Sequence, residues 1–473
     1  MAKFYITTTL PYVNASPHIG FALELVQADA IARYERLVGD EVVFNTGTDE
    51  HGIKIYREAL AAHQDPQAYV DEWAGKFEAL NTALDVSYTH FTRTTDPHHV
   101  ASAQEFWKRC AAQGDIYKDR YAIKYCVGCE LEKTDSELVD GKCPLHPHLE
   151  LEIIEEENYF FRFSRYAEPL LAFYESHPDF VVPDFRFNEV KQFVKNGLRD
   201  FSISRLASKM PWGVPVPGDP EQVMYVWFDA LVNYISALGW PEDEPRFKAF
   251  WPGVQLAGKD NLRQQAAMWQ AMLMSARLPN STQILIHGFI TSGGEKMSKS
   301  LGNVVDPIAL AKKYGTDAVR YYLLREIPMH DDSDFTLSRF EEAYHANLSN
   351  GLGNLVARIM ALAEAHLPAP IARPEPGEFP EAYTSAFRAH DLNKAVDVVW
   401  SRIHALDQKI TESKPFAVVK DDSERGRVLL VELVTELYWI GRMLYPFMPA
   451  TNVLIKHTIL ENKKPQALFP RLS

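Results

Sequence analysis

The fold is indicated first by the stretch Gly293-Gly294-Glu295-Lys296-Met297-Ser298-Lys299-Ser300-Leu301-Gly302-Asn303. It places two lysines among glycines and serines, so that ammonium groups, hydroxyls and an adaptable backbone occur together. Glycine allows the backbone to approach a ligand closely, and lysine supplies a mobile point charge that suits phosphate. The stretch therefore predicts a loop that closes on a polyphosphate. The alternative interpretation is a solvated basic turn.

Three short apolar stretches elsewhere in the chain predict buried strands that alternate with helices. They cover residues 41–45, 254–258 and 283–287, and the last of them leads toward the lysine-containing loop. A helical pattern over residues 262–276 separates the second from the third. Strands that alternate with helices indicate a parallel α/β sheet, whose ligands bind at the carboxyl ends of the strands.

The N-terminal segment predicts the same strand-loop-helix order. Residues 3–9 are rich in aromatic and β-branched side chains, which favours a strand, and apolar residues recur at helical spacing over residues 19–37 until Gly39. His18 and Gly20 therefore lie where a loop enters a helix. The free N–H groups and positive dipole end at such a position suit phosphate.

Three cysteines and a histidine in the middle of the chain have the spacing of a zinc site. Cys126 and Cys129 form one two-residue knuckle, and Cys143 and His146 form a second. Such a set predicts tetrahedral Zn²⁺, structural because four protein ligands leave no open position. The alternative, reduced cysteines in a core, is disfavoured by the many charged residues around them.

The bulk composition is ordinary for a globular protein. The chain has 473 residues, 46% of them hydrophobic and 24% charged, which predicts two to four domains. No apolar run is long enough to cross a membrane and no signal peptide is evident, so we expect a cytoplasmic protein. The net charge of −14 does not suggest nucleic-acid binding, which would need local basic patches.

Two signatures together resemble those of class I aminoacyl-tRNA synthetases: Pro17-His18-Ile19-Gly20 and Lys296-Met297-Ser298-Lys299-Ser300. Further segments, in the family's order over nearly the whole chain, resemble the methionyl-tRNA synthetases, and the single zinc knuckle is similar to that of the bacterial-type members. These segments are Leu10-Pro11-Tyr12, Asn158-Tyr159-Phe160-Phe161, Ser202-Ile203-Ser204-Arg205, Tyr225-Val226-Trp227-Phe228-Asp229-Ala230 and Gly258-Lys259-Asp260.

The resemblance implies an α/β fold: a Rossmann-like parallel-sheet catalytic domain with a zinc-bearing connective insertion, followed by an α-helical anticodon-binding bundle. The expected boundaries are residues 1–114 for the first catalytic half, 115–225 for the insertion, 226–300 for the second half, 301–337 for a stem-contact linker and 338–473 for the bundle.

The resemblance also implies roles for individual residues. The methionine pocket maps onto Leu10, Tyr12, Asp49, Trp227, Ala230, Tyr234, Asn261 and Gln265. ATP maps onto His18, Gly20, Gly258, Asp260, His287, Lys296, Ser298 and Lys299, of which His18, Lys296 and Lys299 would be catalytic. The anticodon maps onto Asn354, Arg358 and Phe416.

Five residues depart from the family pattern, one of them Phe416 of the bundle, where tryptophan is usual and where phenylalanine can still stack. Phe21 stands where a second histidine is usual, and Leu231 where proline is usual. Asn261 and Gln265 occupy positions where the family often has isoleucine and histidine. We expect Phe21 to fill an apolar gap beside the nucleotide, and the Gln265 amide to be able to donate toward a thioether sulfur, a weak acceptor.

The region after the loop predicts a connection to the bundle. Residues 306–320 indicate a helix, residues 321–325 a strand, and the prolines over residues 368–380 a linker between helices. The basic residues that could contact the tRNA backbone, or equally form a solvated face, are Lys312, Lys313 and Arg320. Because the chain stops at Ser473, without room for an appended dimerising domain, we expect a monomer.

The implied activity is ATP-dependent activation of methionine, with Mg²⁺, followed by transfer to initiator and elongator tRNA(Met). The alternatives are a class I synthetase of different amino-acid specificity, a small-molecule nucleotidylyltransferase and a non-catalytic tRNA-binding paralogue. The segment between Gly114 and Val226 is too short for the editing insertion of leucine, isoleucine and valine enzymes beside the zinc knuckle. A nucleotidylyltransferase would lack the lysine loop joined to an anticodon-type bundle.

Overall fold

The computed structural model describes residues 1–14, 16–129, 131–133, 137–297, 303–375 and 377–471. The first part of the chain alternates strands with helices. Its elements are β1 (Lys3–Thr7), α1 (Ile19–Val38), β2 (Glu41–Thr48), α2 (Ile53–Ala61), α3 (Pro66–Ala83), β3 (His90–Arg93) and α4 (Pro97–Ala112).

The middle of the chain is mostly β-structure with short helices. Its elements are β4 (Ile116–Cys126), β5 (Leu131–Glu132), β6 (Glu152–Phe161), α5 (Ala167–Ser176), β7 (Val181–Val182), α6 (Asp184–Lys195), β8 (Phe201–Ser202), β9 (Ser204–Leu206), β10 (Pro215–Val216), β11 (Asp219–Met224), α7 (Val226–Ala230), α8 (Asn233–Ser236) and α9 (Glu244–Phe250).

The remaining elements complete the sheet and build a helical bundle. They are β12 (Val254–Gly258), α10 (Trp269–Ser275), β13 (Gln283–His287), β14 (Ile290–Ser292), β15 (Glu295–Lys296), α11 (Pro307–Tyr314), α12 (Thr316–Tyr321), β16 (Ser333–Phe335), α13 (Leu337–Ala343), α14 (Asn354–His366), α15 (Glu381–Arg388), α16 (Leu392–Ser413), α17 (Pro415–Asp421), α18 (Ser423–Leu444) and α19 (Pro449–Glu461).

The central sheet has the order β3-β2-β1-β12-β13-β7, and each neighbouring pair runs parallel. Chain order reverses at β1, which pairs with β2 on one side and with β12 on the other. Such a switch point opens a crevice at the carboxyl ends of the strands. Helix α1 leaves this edge and ends at Gly39, whose φ of 105° is left-handed, as the sequence predicted.

The predicted insertion forms an antiparallel sheet of order β5-β4-β6-β8, with a second small sheet of order β10-β11-β9. Strands β4 and β6 pair along their length, from Ile116 opposite Phe161 to Tyr125 opposite Glu152. One piece of residues 115–225 belongs to the central sheet, because β7 pairs in parallel with β13. The polypeptide of the insertion therefore returns to the catalytic core before it ends.

The C-terminal helices pack directly on the catalytic domain. Tyr34 of α1 stacks on Phe387 of α15 with ring centroids 3.9 Å apart and planes 3° apart. Residues 322–326 continue from α12 as a π-helical turn, so the predicted strand over residues 321–325 is wrong. Aromatic and leucine side chains in a short run fit either a buried strand or a buried helix, and here tertiary packing selects the helix.

The prediction that Arg320 contacts the tRNA backbone is also wrong. Its side chain is fully buried and pairs with Asp29 of α1, with 2.7 Å between Arg320 Nη2 and Asp29 Oδ2. Lys313 of α11 is an exposed residue paired with Glu341. Among the described residues, no helix has both the length and the apolar character needed to cross a bilayer.

Candidate active site

A cavity of about 310 Å³ opens at the switch point of the central sheet. It contains all eight residues that the sequence predicted for methionine, brought together from loops after β1, β2 and β12 and from α7 and α8. The residues that line it are Thr9, Leu10, Pro11, Tyr12, Asn14, Phe21, Asp49, Lys54, Gly128, Cys129, Trp227, Ala230, Leu231, Asn233, Tyr234, Asp260, Asn261, Gln264 and Gln265.

The loop that carries Leu10 and Tyr12 is joined to the loop that carries Asp49. The Asp49 N–H donates to the Pro11 carbonyl at 3.0 Å, and the Val13 N–H donates to the Asp49 carbonyl at 3.2 Å. The Tyr12 hydroxyl donates to the carbonyl of His51 at 2.6 Å. These bonds hold one wall of the cavity in a fixed geometry.

A buried carboxylate behind the cavity connects that wall to α7. Asp229 Oδ2 lies 3.0 Å from His51 Nδ1, and its Oδ1 lies 3.2 Å from His99 Nε2. Burial alone would raise the pKa of Asp229, but the charges and hydrogen bonds of the two histidines hold that pKa below its usual value. Trp227 and Ala230, on the same short helix, are thereby fixed against the first half of the chain.

Four of the five departures from the family pattern, those in the catalytic half of the chain, lie at this cavity. The ring of Phe21 lies 4.4 Å from that of His18 and meets Phe77 edge-on at 5.6 Å, so it fills an apolar position. The Gln265 amide donates to the Tyr234 hydroxyl at 2.6 Å. At least one of its two hydrogens is therefore directed at the tyrosine.

The residues predicted for ATP lie at the same edge of the sheet. His18 caps α1, because its Nδ1 accepts the Gly20 N–H at 3.1 Å, and a Cβ at Gly20 would come within 2.9 Å of the His18 ring. A Cβ at Gly258 would come within 2.8 Å of Asp260 Oδ1. Glycine at these two positions allows a ligand to approach the backbone closely.

His287 is buried, and both of its ring nitrogens face acceptors. Nε2 lies 2.9 Å from Glu24 Oε2, and Nδ1 lies 2.7 Å from the Gly288 carbonyl. Although burial opposes the charge, these two acceptors raise the pKa of His287. Glu24 Oε1 also accepts the N–H and hydroxyl of Thr9, at 2.5 and 2.6 Å. His287 therefore anchors the loop after β1 through Glu24. Because both ring nitrogens are already paired, the ring carbons of His287 would be the atoms that contact a nucleotide.

The lysine-containing loop begins with a tight hairpin. Gly293 and Gly294 connect β14 to β15 with φ values of 66° and 80°, which only glycine adopts at little cost. The Gly294 N–H donates to Asp334 Oδ1 at 2.8 Å. Lys296 is described for its backbone alone, and the predicted sites Ser298 and Lys299 lie outside the described residues.

The predicted zinc ligands converge to one point. The donor atoms of Cys126, Cys129, Cys143 and His146 all lie within 4.8 Å of one another. The Cys129 Sγ lies 3.4 Å from Cys143 Sγ and 3.1 Å from His146 Nδ1. Bonds of about 2.0–2.3 Å from a tetrahedral ion give separations of this size. A Cβ at Gly128 would come within 2.5 Å of the His146 ring, so that knuckle requires glycine.

Residues 4–152 and 148–360 match the family described as tRNA synthetases class I (M). The methionine--tRNA ligase of Thermotoga maritima is 40% identical over 98% of this chain and 76% of its own length. That of Thermosynechococcus vestitus is 50% identical over 76% of this chain and 69% of its own length. This chain belongs to the methionyl-tRNA synthetase family of class I. The resemblance read from the motifs is confirmed.

Solved structures of the methionyl-tRNA synthetase family support the same assignment. The Mycobacterium tuberculosis methionyl-tRNA synthetase in complex with methionyl-adenylate is 36% identical, covers 100% of both chains and superposes with a TM-score of 0.91. The apo form of that enzyme is 32% identical, covers 100% of this chain and 99% of its own, and has a TM-score of 0.83. The predicted fold class of a Rossmann-like sheet followed by a helical region is therefore confirmed.

The residues predicted for the anticodon lie on two helices of the bundle that contact each other, α14 and α17. Asn354 and Arg358 are one turn apart on α14, and Arg358 pairs with Asp407 of α16 at 2.6 Å. Phe416 lies in the first turn of α17 and is 55% exposed. An exposed aromatic ring can stack on an unpaired base, and asparagine and arginine side chains can hydrogen-bond to base edges.

A second cavity, of about 590 Å³, lies between α2 and the insertion. The two cavities share a wall, because Tyr225 and Val226 line the second cavity and the next residue, Trp227, lines the first. Three cations and one carboxylate face it, although the chain as a whole is acidic. The residues that line it are Gly52, Ile53, Arg57, Tyr125, Glu152, Ile153, Arg205, Lys209, Met210, Tyr225 and Val226.

Sequence reasoning did not identify several residues at the site. His51, His99 and Glu24 support it from behind, and Lys54 and Asn233 line the cavity itself. His51 lies in the polar run after β2, only two residues from Asp49, and this proximity could have predicted it as a site residue. The others sit inside helical patterns, which carry no signal for a site that forms only when distant segments meet.

Proposed function

We propose that the chain is a methionine--tRNA ligase that forms methionyl-adenylate from methionine and ATP and transfers the methionyl group to the 3′ end of tRNA(Met). The observation that carries the proposal is the single cavity at the switch point, in which all eight residues predicted for methionine meet Asp260, beside the His18-capped helix. The relatives and the adenylate-bound structural neighbour agree with this assignment.

In the first step an oxygen of the methionine carboxylate attacks the α-phosphorus, and the bond to the pyrophosphate oxygen breaks. Such a reaction needs positioning and charge neutralisation rather than a covalent nucleophile. We assign the substrate ammonium to Asp49 and the thioether to Tyr12, Trp227 and Tyr234, since sulfur packs favourably against aromatic rings.

The nucleotide is assigned to the opposite side of the crevice. Gly258 and Asp260 would hold the ribose. His18 and Gly20 would receive the phosphates at the start of α1, and Lys296 and Lys299, with Ser298, would neutralise the leaving pyrophosphate. His287 contributes by holding Glu24 and hence the Thr9 loop.

In the second step a hydroxyl of the terminal ribose attacks the acyl carbon, and AMP leaves. We place the unpaired 3′ end in the second cavity, whose arginines and lysine could bind phosphates. The anticodon is assigned to Asn354, Arg358 and Phe416. We also propose five regions of the chain: residues 1–114 and 226–300 for the two catalytic halves, 115–225 for the insertion, 301–337 for the linker and 338–473 for the anticodon-binding bundle.

Cys126, Cys129, Cys143 and His146 would hold one Zn²⁺, and the ion would stabilise the fold of the knuckle, whose residues Gly128 and Cys129 line the substrate cavity. Mg²⁺ would enter with ATP and offset phosphate charge. The Mg²⁺ would be held largely by the phosphates, because Mg²⁺ usually keeps its waters and binds through substrate phosphates and few carboxylates.

The test is ATP–pyrophosphate exchange with the full chain against a panel of amino acids, followed by aminoacylation of tRNA(Met). We expect exchange that depends on methionine, and charging that depends on the methionine anticodon. Exchange that depends on another amino acid would assign a different specificity. Absence of exchange with every amino acid, in protein that binds tRNA(Met), would instead indicate the non-catalytic paralogue.

A further inference from the structure

One ion pair bridges the second cavity, between the catalytic half of the chain and the insertion. Arg57 lies on α2 and Glu152 begins β6, and both side chains line the cavity. Arg57 Nη1 lies 2.9 Å from Glu152 Oε1, and Arg57 Nη2 lies 3.3 Å from Glu152 Oε2. The two side chains are 46% and 40% exposed, so the pair lies at the solvent-facing rim of the cavity.

The geometry of this pair is also that of an arginine–phosphate contact. The planar guanidinium bonds two oxygens of a carboxylate or two oxygens of a phosphate with the same pair of N–H groups. An exposed ion pair is weak, because water and salt compete for both partners. A phosphate that reaches the rim can therefore take the place of Glu152 on Arg57 at little cost.

The other charges of the cavity favour an anion. Arg205 and Lys209 line it as well, and among its described lining residues Glu152 is the only acidic one. Arg205 is 6% exposed and donates to Ser202 Oγ at 2.7 Å and to the Ser204 carbonyl at 2.8 Å, so its charge is held in place. This local excess of cations occurs in a chain whose net charge is −14.

The position of the cavity selects the anion. It adjoins the first cavity across the wall formed by Tyr225, Val226 and Trp227. The terminal ribose of tRNA must reach an acyl group in the first cavity, so the phosphodiester groups next to that ribose must lie close by. The second cavity is adjacent, open to solvent at its rim and lined by cations, as a single strand of nucleic acid requires.

We infer that Glu152 occupies Arg57 in the free protein, and that a phosphodiester of the unpaired 3′ strand of tRNA displaces it when the strand enters the second cavity. Arg57 is then a phosphate ligand, and Glu152 is a competitor of that phosphate. The inference rests on the proposed function and names the residue pair that controls entry of the strand.

The exchange needs only a rotation of the Glu152 side chain. The backbone of Glu152 is fixed opposite Tyr125, where β6 pairs with β4. Arg57 lies inside α2, so its backbone is fixed as well. Displacement of the carboxylate therefore leaves the cavity walls in place, and the released carboxylate can turn toward solvent.

The test is the KM for tRNA(Met) in aminoacylation by the full chain. Glu152→Gln removes the competing charge and should lower this KM roughly threefold, whereas Arg57→Gln removes the phosphate ligand and should raise it roughly fivefold. The double variant should resemble Arg57→Gln alone, because Glu152 acts through Arg57. A further fall in KM on adding Glu152→Gln to Arg57→Gln would show that Glu152 acts independently, and would overturn the inference.

A matched control separates this pair from the general effect of charge. Glu244→Gln changes the net charge by the same amount, and Glu244 is an exposed residue paired with Lys248 at 2.7 Å. Its helix α9 lies at the opposite edge of the sheet, because Phe250 of α9 contacts Lys3 at the start of β1. The KM for tRNA(Met) should be that of the unmodified chain. A fall equal to that of Glu152→Gln would contradict a specific role for the pair.

Salt dependence and a shortened tRNA identify the contact itself. Each phosphate contact to a single strand contributes a slope of about 0.7 to the dependence of log affinity on log salt concentration, so Arg57→Gln should reduce that slope by about 0.7. A tRNA(Met) without its unpaired 3′ nucleotides should bind the unmodified chain and both variants equally. An unchanged slope, or equal effects on the shortened tRNA, would place the contact elsewhere.

Free pyrophosphate offers the same chemistry as a phosphodiester and is the other possible source of the anion. If Arg57→Gln changed the KM for pyrophosphate in ATP–pyrophosphate exchange but not the KM for tRNA(Met), the pair would serve the leaving group and the inference would be wrong. An unmodified chain without methionine-dependent exchange would contradict the proposed function. An unmodified chain that charges tRNA(Met), with a KM that neither variant alters, would contradict the displacement of Glu152 alone.

Discussion

Replacing Arg320 with methionine should weaken the attachment of the C-terminal region to the catalytic core. The guanidinium is fully buried and pairs with Asp29 of α1 at 2.7 Å. It also donates to three backbone carbonyls, those of Leu84, Pro446 and Phe447, at 3.1, 3.0 and 2.9 Å. One side chain therefore connects α1, the end of α3 and the segment after α18.

The expected loss can be worked out from these contacts. Removing one partner of a buried ion pair typically costs about 3–5 kcal/mol. Asp29 keeps the Arg33 guanidinium at 2.7 Å and the N–H and hydroxyl of Ser87, which favours the low end of that range. The three carbonyls that lose a charged donor add about 1–3 kcal/mol together. We therefore expect a total loss of about 4–6 kcal/mol in the free energy of unfolding.

The measurement is urea-induced unfolding followed by tryptophan fluorescence. Arg358→Met is the control, because Arg358 also forms an ion pair, with Asp407 at 2.6 Å, but its side chain is 39% exposed. An exposed pair contributes about 0–1 kcal/mol, so the control should change little. Equal losses in the two variants would refute the argument that burial and the three carbonyls make Arg320 a connection between domains.

Three further predictions concern acid stability, the lysine loop and the zinc knuckle. Burial, with a smaller contribution from His330, lowers the pKa of His390 to about 4. Between about pH 6.5 and 4 the unfolded chain therefore binds more protons than the folded chain. The free energy of unfolding falls by about 3 kcal/mol as the pH falls through that window. His390→Asn, which suits the φ of 52°, should remove this part of the acid sensitivity, as measured by urea unfolding at pH 7.5 and 5. Lys299→Ala should lower the rate of adenylate formation far more than methionine affinity; undiminished ATP–pyrophosphate exchange would contradict it. Cys143→Ser should abolish the one equivalent of bound zinc, as measured by metal analysis, and raise the KM for methionine because the knuckle lines the cavity; an unchanged zinc content would show that these residues are not the ligands.

Short-range signals in the sequence were sufficient for several local features of the structure. The glycine pair before Lys296, the helix that begins after His18 and ends at Gly39, and the two cysteine knuckles all depend on neighbours within a few residues. Local backbone geometry and ligand spacing decide such features, so they can be read without a tertiary structure. The eight residues for methionine came from family resemblance, and the structure gathers them in one cavity.

The errors arose where burial by distant segments decides the outcome. Residues 321–325 have the side chains of a strand, yet packing continues them as a helix. Arg320 looks like a surface cation in sequence, and only Asp29 and the carbonyls of Pro446 and Phe447 show that it is internal.

The sequence by itself determined the glycine turn before Lys296, the convergence of three cysteines and a histidine, and the alternation of strands and helices in the catalytic half, because each is set by residue types at short spacing. The tertiary structure alone decided which side chains the buried residues Gln255 and Gln265 pair with. The NH₂ of a glutamine amide donates and its oxygen accepts, and the way the amide is turned is settled only by partners that lie far away in the chain.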